Sequence, residues 1–427
     1  MATYLIDALI VLITKAYIEY VTTEATNLKL AITNEIAFLL SRKSPLIVSV
    51  SGGKDSDAQA LLLNKLLTQI NYEGERLLIH ADLGRIEHAE SIQQVRALAK
   101  FINWKLIIVR REKGDLLDRY EQRWHDNCVR YANLSCVTLI SPWPQPQSPF
   151  CRADAKISPI VQKAVQLFPG QPIINCVGLR AEESSKRASN PVSQRNPKLD
   201  RAAGTTGYNW NPILNLKIED VWLVHKETGF PRHPQYDRGN ERISCAYCFL
   251  GSLNDLQNAA EVPTNYDSYR ILSTLELRSG FSYQQSRWLA DIKPELLLTP
   301  LLLSAAKATA AKRKSVEQQI PIEMRFSNDG GRHGWPSRQP TLAECELLAR
   351  ARYDMKTLMG DEIRATTGFE VKYTTAQEVY DRYAELLAEK REKDSRKRER
   401  AVKTKTYTRY DICNQITQAT AITGAPA

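Results

Sequence analysis

Leu46-Ile-Val-Ser-Val50, followed at once by Ser51-Gly-Gly-Lys-Asp-Ser56, is the stretch that decides the fold. The first five residues form a short, apolar, β-branched run typical of a buried strand, and Ala58 to Ile70 has the composition of a helix. The glycines between them permit a tight turn, and main-chain amides at a helix start favour an anion. Lys54 adds a formal charge and two serines add hydroxyl donors. The sequence therefore predicts a strand, a phosphate-binding loop and a helix.

Strand-like and helix-like segments continue to alternate after this loop. Arg76 to His80 leads into a helical stretch at His88 to Ile102, and further apolar runs lie at Lys105 to Val109 and Pro172 to Val177. Such alternation predicts an α/β fold with a mostly parallel sheet and helices on both faces. Four prolines within Ser141 to Pro149 predict an extended loop, because proline fits neither a helix interior nor a central strand.

The chain of 427 residues is long enough for two or three domains. We expect a helical N-terminal segment at 1–43, an α/β domain at 44–255 and a mainly helical C-terminal region at 256–427. Within the last region, helical spacing occurs at 266–277, 342–359 and 376–400. A Gly- and Pro-rich linker is predicted between the first and second of these stretches, at 326–340.

Composition excludes several classes of protein. With 43% hydrophobic and 25% charged residues, the chain is neither collagen-like nor wholly disordered. Its longest apolar stretch, Tyr4 to Ile13, is too short to cross a bilayer, so no membrane span is predicted. The first residues lack the basic start and cleavage site of a secretory signal, which predicts a cytoplasmic protein.

The net charge of +10 is concentrated in two segments. Residues 390–409 hold ten Lys/Arg against three Asp/Glu, and residues 185–201 hold five against one. Such concentration favours a nucleic-acid partner, and a basic tail that only aids solubility is the alternative.

The loop resembles the PP-loop of ATP pyrophosphatases, in which the loop grips pyrophosphate while ATP is cut between its α and β phosphates. Its spacing differs from that of the GxxxxGK[ST] P-loop. Further motifs resemble the phosphoadenosine phosphosulfate (PAPS) reductase-like group of that superfamily: Asp82-Leu-Gly84, Gly178-Leu-Arg180-Ala-Glu-Glu183-Ser184, Trp210-Asn-Pro-Ile213, Asp220-Val-Trp222 and His233-Pro-Gln-Tyr236. The group includes sulfurtransferases of DNA phosphorothioation, and related PP-loop enzymes thiolate tRNA with a three-cysteine cluster.

This resemblance implies roles for particular residues. Lys54, Asp55 and Arg180 would act in catalysis, and ATP with Mg2+ would bind Ser51, Gly52, Gly53, Lys54, Ser56, Asp82 and Gly178. A carboxylate such as Asp82, at the carboxyl end of a parallel strand, lies where a metal could bind, although a helix-capping role is the alternative. Arg180 would bind phosphate oxygens, and a surface salt bridge with Glu182 or Glu183 is the alternative.

Eight cysteines include one close pair, Cys245-Ala-Tyr-Cys248, which in a reducing compartment indicates a metal site or a redox pair. Family reductases with an iron–sulfur cluster use two adjacent cysteines where this chain has Cys151 alone. The resemblance therefore implies that Cys151, Cys245 and Cys248 hold three corners of a [4Fe-4S] cluster. Several cysteines could supply the fourth ligand: Cys128, Cys136 or Cys176. Structural zinc completed by His225 or His233, and a dithiol relay, stay open.

The C-terminus departs from true PAPS reductases, because nothing after Cys248 matches their Glu-Cys-Gly nucleophile, and Cys413 stands in Asp-Ile-Cys-Asn. We therefore expect an ATP-dependent sulfur-transfer or adenylating enzyme acting on a nucleic-acid or small-molecule acceptor, with possible protein partners. A reductase of PAPS or adenosine phosphosulfate is the second hypothesis. The third is a nucleic-acid-binding component that senses ATP and carries a structural metal.

Overall fold

The computed structural model of the chain describes residues 14–16, 28–326 and 334–423. The predicted N-terminal helix falls partly outside these residues, and so does part of the predicted linker. Helices of the described residues are α1 (Asn34–Ser41), α2 (Lys54–Gln69), α3 (Ala89–Ile102), α4 (Leu116–Ala132), α5 (Phe150–Arg152), α6 (Ser158–Leu167), α7 (Ser185–Ala188), α8 (Ile218–Thr228), α9 (Leu253–Ala260), α10 (Tyr266–Ser279), α11 (Leu302–Gln318), α12 (Leu342–Thr367) and α13 (Ala376–Thr423).

A six-stranded sheet confirms the predicted α/β class. Its strands have the order β3-β2-β1-β4-β6-β5, and all neighbours pair in parallel except β5 with β6. The strands are β1 (Leu46–Ser49), β2 (Arg76–Asp82), β3 (Lys105–Arg110), β4 (Pro172–Cys176), β5 (Ser193–Arg195) and β6 (Thr206–Trp210). The apolar runs identified in the sequence are β1 to β4, whereas β5 and β6 were not predicted.

Alternation along the strands produces a core on each face of the sheet. Leu46 and Val48 pack into one buried cluster with side chains of α1, α2, α3 and α8. Ile47, on the opposite face of the same strand, packs into a second cluster with Ala164 of α6. Successive strand residues point to opposite faces, so a strand that is apolar throughout must be covered on both sides.

Two compact units make up the chain. The first contains residues 1–122, 143–277 and 281–303, and it holds the sheet. The second contains residues 123–142, 278–280 and 304–427, and its core is built mainly from Leu134, α12 and α13. No helix among the described residues is long and apolar enough to span a membrane.

The strand order places the expected site. In the sheet, β2 pairs with one side of β1 and β4 pairs with the other side. The direction in which successive strands are added to the sheet therefore reverses at β1. In open α/β sheets ligands bind at the carboxyl ends of the strands at such a reversal. The loop after β1, Asp82 at the end of β2 and Gly178 after β4 all lie at this edge.

Candidate functional site

The loop after β1 makes a turn that requires glycine. Gly52 has φ of +75°, a left-handed conformation. A Cβ there would come within 3.3 Å of both the Ser91 carbonyl and the Gln94 side chain of α3. Gly53 is the N-cap of α2 in an extended conformation, so the first amides of the helix face the turn. The predicted strand, loop and helix are therefore confirmed at this position.

The two serines of the loop hold the turn closed. The Ser51 amide donates to Ser56 Oγ at 3.2 Å, and Ser56 Oγ donates to the Gly53 carbonyl at 2.8 Å. The two hydroxyl oxygens lie 3.4 Å apart. Both serines lie where an anion at the helix start would be hydrogen-bonded.

Lys54, Asp55 and Arg180 form a charged chain beside the loop. Asp55 accepts from Arg180 Nε at 2.6 Å, and its other oxygen lies 3.2 Å from Lys54 Nζ. Lys54 and Arg180 are buried, and Arg180 also pairs with Glu182. The alternative salt bridge with Glu182 is therefore present, and phosphate binding by Arg180 stays a prediction. A polyphosphate could replace Asp55 as the partner of both cations.

Gly178 lets the end of β4 approach the loop helix closely. A Cβ on Gly178 would lie 3.0 Å from Gln59 Oε1 and 3.2 Å from the Asp55 carbonyl. A larger residue would therefore push Arg180, two positions on, away from Asp55. Gly178 acts through this spacing, and the structure gives a physical reason for glycine there.

Residues 225–243 cover the phosphate-binding loop, and the sequence did not predict this contact. The Lys54 amide donates to the Tyr236 hydroxyl at 3.0 Å, and Lys54 Nζ lies 5.6 Å from the centre of the Tyr236 ring. His225 Nε2 is 3.1 Å from the Lys54 carbonyl, and its Nδ1 is 3.3 Å from the Phe230 carbonyl. The only signal for Tyr236 was its place in the His233-Pro-Gln-Tyr236 motif.

Asp57 is a buried carboxyl directly behind the loop. It accepts from Gln94 Nε2 at 3.0 Å. Burial raises its pKa to about 7, and the hydrogen bonds from Gln94 and Ser56 oppose this shift only in part. The folded chain therefore holds this proton more tightly than the unfolded chain, so the free energy of unfolding falls as the pH rises from about 4 to about 7.

Asp57→Asn is expected to remove this slope, because the amide has a similar shape and no titratable proton. The free energy of unfolding at pH 8 should rise by roughly 2–4 kcal/mol, the cost of ionising a carboxyl shifted this far. Urea unfolding of both proteins at intervals from pH 4 to pH 8 measures it. An unchanged slope in the variant would show that Asp57 is not the titrating group.

Asp82 lies at the predicted edge, but its carboxylate is already engaged. One oxygen accepts from the Gly84 amide at 2.7 Å, and the other accepts from Arg110 Nε at 2.7 Å. The oxygens of Asp55 are likewise bound to Lys54 and Arg180. As placed, these two carboxylates do not form a magnesium site.

The three predicted cysteines converge within the first unit. Burial is the main cause that raises the pKa of Tyr120 and of Tyr283 above its ordinary value, and all three cysteines contribute to both shifts. Both phenols therefore stay protonated beside the thiols. Cys151 lies in the short helix α5, directly before a π-helical turn at Ala153–Ile157, and Cys245 forms a β-bridge with Glu87, which follows β2. We call Cys151, Cys245 and Cys248 the thiol cluster.

Aromatic residues that the sequence did not single out surround the thiol cluster. Tyr283 lies 4.9 Å from Trp143, and Tyr120 lies 5.7 Å from Trp143 and 5.9 Å from Phe150, measured between ring centres. The Tyr283 hydroxyl donates to the Tyr247 carbonyl, within the Cys-Ala-Tyr-Cys turn. Tyr283 comes from the region beyond 255, to which the sequence assigned no definite role, and no local pattern marked it.

The thiols differ in acidity. Their mutual hydrogen bond lowers the pKa of Cys248 and raises that of Cys245, and the Ser244 side chain and Leu250 amide also favour the Cys248 thiolate. Burial raises the pKa of Cys151 to about 11, although Lys156 opposes it. A thiolate beside two further thiols and a cation has the donor chemistry of a thiolate-bound cluster.

Single-ion binding fits less well. Among the described residues no three His, Cys, Asp or Glu side chains are grouped closely enough to hold one metal ion. A four-iron cluster binds each thiolate at a different iron, which spaces the thiolates more widely. His225 contacts Lys54, and His233 contacts Ser91 and the Gln235 amide, so neither histidine completes a zinc site with the thiol cluster.

The other cysteines are placed as follows. Cys176 is fully buried in β4, packed in the apolar core, and burial raises its pKa. Cys128 and Cys136 belong to the second unit, with Cys345. Cys413 lies where the structure describes no side chains. Within the described part of the first unit, Cys176 is the remaining cysteine, and it packs in the apolar core.

The two basic segments differ in setting. Lys186, Arg195 and Lys198 are exposed at the edge of the sheet beside β5, where Arg195 packs on Tyr208. Residues 391–399 form an exposed stretch of α13, and the rest of 390–409 lies beyond the described side chains. Their nucleic-acid role stays a prediction.

Comparison with known proteins agrees with the placement of these motifs. Residues 45–250 match the phosphoadenosine phosphosulfate reductase domain. A 37.8 kDa protein of Escherichia phage 186 is 27% identical over 243 residues, 49% of this chain and 68% of the relative. An uncharacterized protein of Methanocaldococcus jannaschii is 24% identical over 219 residues, 50% of this chain and 39% of that protein.

Similar solved structures include a PAPS reductase from Candida auris, which is 15% identical and has a TM-score of 0.32. The similarity covers 53% of this chain and 93% of the Candida auris chain. Another is the U34-tRNA thiolase NcsA from Methanococcus maripaludis, solved with its [4Fe-4S] cluster, with 13% identity, a TM-score of 0.35, and coverage of 77% and 89%.

The matched range begins one residue before β1 and ends just after Cys248, so it contains the phosphate-binding loop, Asp82, Gly178, Arg180 and the thiol cluster. Within it the motifs occur in the expected order on a sheet of the expected class. Residues 45–250 of this chain thus match the phosphoadenosine phosphosulfate reductase domain over the range that holds these motifs.

Proposed function

We propose that this domain binds ATP, cleaves it between the α and β phosphates and uses the activated intermediate for sulfur transfer. The observation that carries the proposal is the loop itself: a glycine turn at the start of α2 with buried Lys54 and Arg180 beside it. Amides at a helix start and two cations complement a departing pyrophosphate. Asp55 is the carboxylate partner of both cations, and a polyphosphate can take its place.

Different residues of the chain have different roles in the proposed reaction. An acceptor oxygen attacks the α phosphate, and the bond to the β phosphate breaks as pyrophosphate leaves. Lys54, Arg180 and the amides at 51–56 bind the negative charge that develops on the leaving group. A sulfur nucleophile then displaces AMP from the adenylated acceptor. Gly178 keeps Arg180 in position, because the close approach of β4 to α2 depends on it.

The thiol cluster is the proposed source of that sulfur. A [4Fe-4S] cluster held by Cys151, Cys245 and Cys248 would supply an iron with an open coordination position for sulfide. The pairing of Cys245 with Glu87 ties this centre to the segment that follows β2, at the carboxyl edge of the sheet. Tyr120 and Tyr283 limit the access of water to the thiols, since both rings are fully buried.

Detection of products tests the proposal. Purified protein incubated with ATP, a sulfide source and candidate acceptors should release AMP and pyrophosphate in equal amounts. ADP or phosphate as the first product would contradict cleavage between the α and β phosphates.

Reduction of PAPS or adenosine phosphosulfate is the second candidate, favoured by the reductase domain itself and by the acidic Cys248 thiol paired with Cys245. It predicts sulfite release from either compound without consumption of ATP. Assaying both nucleotides in parallel with ATP separates the two candidates.

A further inference from the structure

A cavity of about 680 Å3 opens beside the loop but is lined by other residues. It lies at the carboxyl ends of β2 and β3, against the first turns of α3 and the segment that follows β3. We call it the edge cavity. Its volume lies in the range of pockets that bind nucleotide-sized ligands.

Two guanidinium groups in the edge cavity have no carboxylate partner. Arg96 on α3 is exposed, with neither an ion pair nor a hydrogen bond from its side chain among the described residues. Arg111 donates only to the carbonyls of Lys113 and Gly114. The other two arginines lining the cavity are committed, Arg85 to Asp115 and Arg110 to Asp82.

A buried histidine adds an unused polar atom. His88, the N-cap of α3, lines the edge cavity with only 3% of its surface exposed, and its Nδ1 has no partner among the described residues. Burial, with a smaller contribution from His233, lowers its pKa to about 4. The ring is therefore neutral at physiological pH and can hydrogen-bond a ligand without carrying charge.

Four carboxylates line the edge cavity together with its four arginines. Asp82 and Asp115 are bound to arginines, and Glu87 accepts from the Leu83 amide and contacts His80. Glu112 is exposed and has no ion-pair partner among the described residues. Among the described residues, Arg96 and Arg111 are thus the two lining arginines that no carboxylate engages.

Helix α3 connects the edge cavity to the loop. Ser91 and Gln94 pack against Gly52, while Ile92 and Arg96 line the cavity. A ligand in the cavity would lie across one helix from the bound pyrophosphate. A second substrate bound there would lie at the same carboxyl edge of the sheet as the loop.

We propose that the edge cavity binds the phosphate group of the sulfur acceptor, through Arg96 and Arg111, with His88 as a further hydrogen-bonding group. This inference rests on the proposed function, because it names the chemistry of that function's second substrate. A guanidinium pair can bind phosphate oxygens through several charge-assisted hydrogen bonds. The phosphate belongs either to a free nucleotide or to a nucleic-acid strand.

Binding measurements test the edge cavity separately from the loop. The probes are thymidine monophosphate and an eight-residue oligothymidylate, titrated at one salt concentration into protein saturated with the ATP analogue AMPCPP. The variants are Arg96→Ala, Arg111→Ala and Glu112→Gln. Lys100→Ala is the matched control, since it removes an exposed cation from α3 that does not line the cavity.

Arg96→Ala and Arg111→Ala should each weaken binding of a probe about tenfold, as expected for one charge-assisted hydrogen bond. Glu112→Gln should strengthen it severalfold, and Lys100→Ala should leave it unchanged. Binding of the mononucleotide identifies a small acceptor, and binding of the oligonucleotide alone identifies a nucleic acid. The proposal is overturned if neither probe binds, or if both arginine variants bind as the unaltered protein does.

The affinity for AMPCPP tests the proposed function separately from the phosphate site in the edge cavity. It should be the same in all four variants, because none of these residues contacts the loop. If AMPCPP does not bind the unaltered protein, the proposed function fails. Titrating the probes without the analogue then still decides whether Arg96 and Arg111 form a phosphate site.

Discussion

Lys54→Ala is expected to slow release of pyrophosphate from ATP by a hundredfold or more. Its ammonium group is buried next to the loop, 3.2 Å from Asp55, in position to meet the charge that develops on the leaving pyrophosphate. Losing one such preorganised group typically costs ~2.7–4 kcal/mol in the transition state. Steady-state and single-turnover assays of labelled pyrophosphate measure the effect on turnover separately from that on binding.

Lys100→Ala is the matched control, because Lys100 is an exposed lysine in the same unit. It should leave pyrophosphate release unchanged. Circular dichroism and thermal unfolding of both variants would show whether Lys54→Ala still folds, as expected when Asp55 keeps Arg180 as its partner. Full turnover in folded Lys54→Ala protein would remove Lys54 from the mechanism.

Cys248→Ser should remove nearly all iron and acid-labile sulfide from protein purified without oxygen, while affinity for AMPCPP changes little. Cys248 is the most acidic thiol of the thiol cluster, because Cys245, Ser244 and the Leu250 amide all stabilise its thiolate. A serine oxygen is a far poorer ligand for iron than a thiolate. Metal analysis and the visible absorption spectrum measure the loss.

Cys345→Ala is the control for this experiment. Cys345 is buried in the core of the second unit, apart from the thiol cluster, so its loss should leave the iron content as it is. About four irons in the unaltered protein would support the cluster. Stoichiometric zinc would contradict the cluster in favour of a structural zinc site. Absence of any metal would also contradict it and would leave Cys245 and Cys248 as a redox pair.

The parts of the site that the sequence predicted are local. The strand, glycine turn and helix at 46–70 follow from residue spacing, because each needs only neighbours in sequence to form. The apolar runs of β1 to β4 were found since strands covered on both faces are continuously apolar. By contrast β6, with the sequence Thr-Gly-Tyr-Asn-Trp, has little aliphatic character and was missed.

What the sequence could not predict depends on contacts between distant segments. Tyr236 reaches the Lys54 amide from 182 residues away, and Tyr283 joins the thiol cluster from the region beyond 255. Asp82 lies at the expected end of β2, but its carboxylate forms an ion pair with Arg110 of β3. No sequence pattern around Asp82 indicated this ion pair. Pairing of neighbouring strands creates this contact, so it exists only in the folded sheet.

A co-crystal structure with AMPCPP tests the central claim most directly, because the Lys54 amide now donates to the Tyr236 hydroxyl. The account predicts that the β and γ phosphates lie on the amides of 51–56 between Lys54 and Arg180, with the Tyr236 hydroxyl displaced from the Lys54 amide. Phosphates bound elsewhere, with Tyr236 still on that amide, would contradict it.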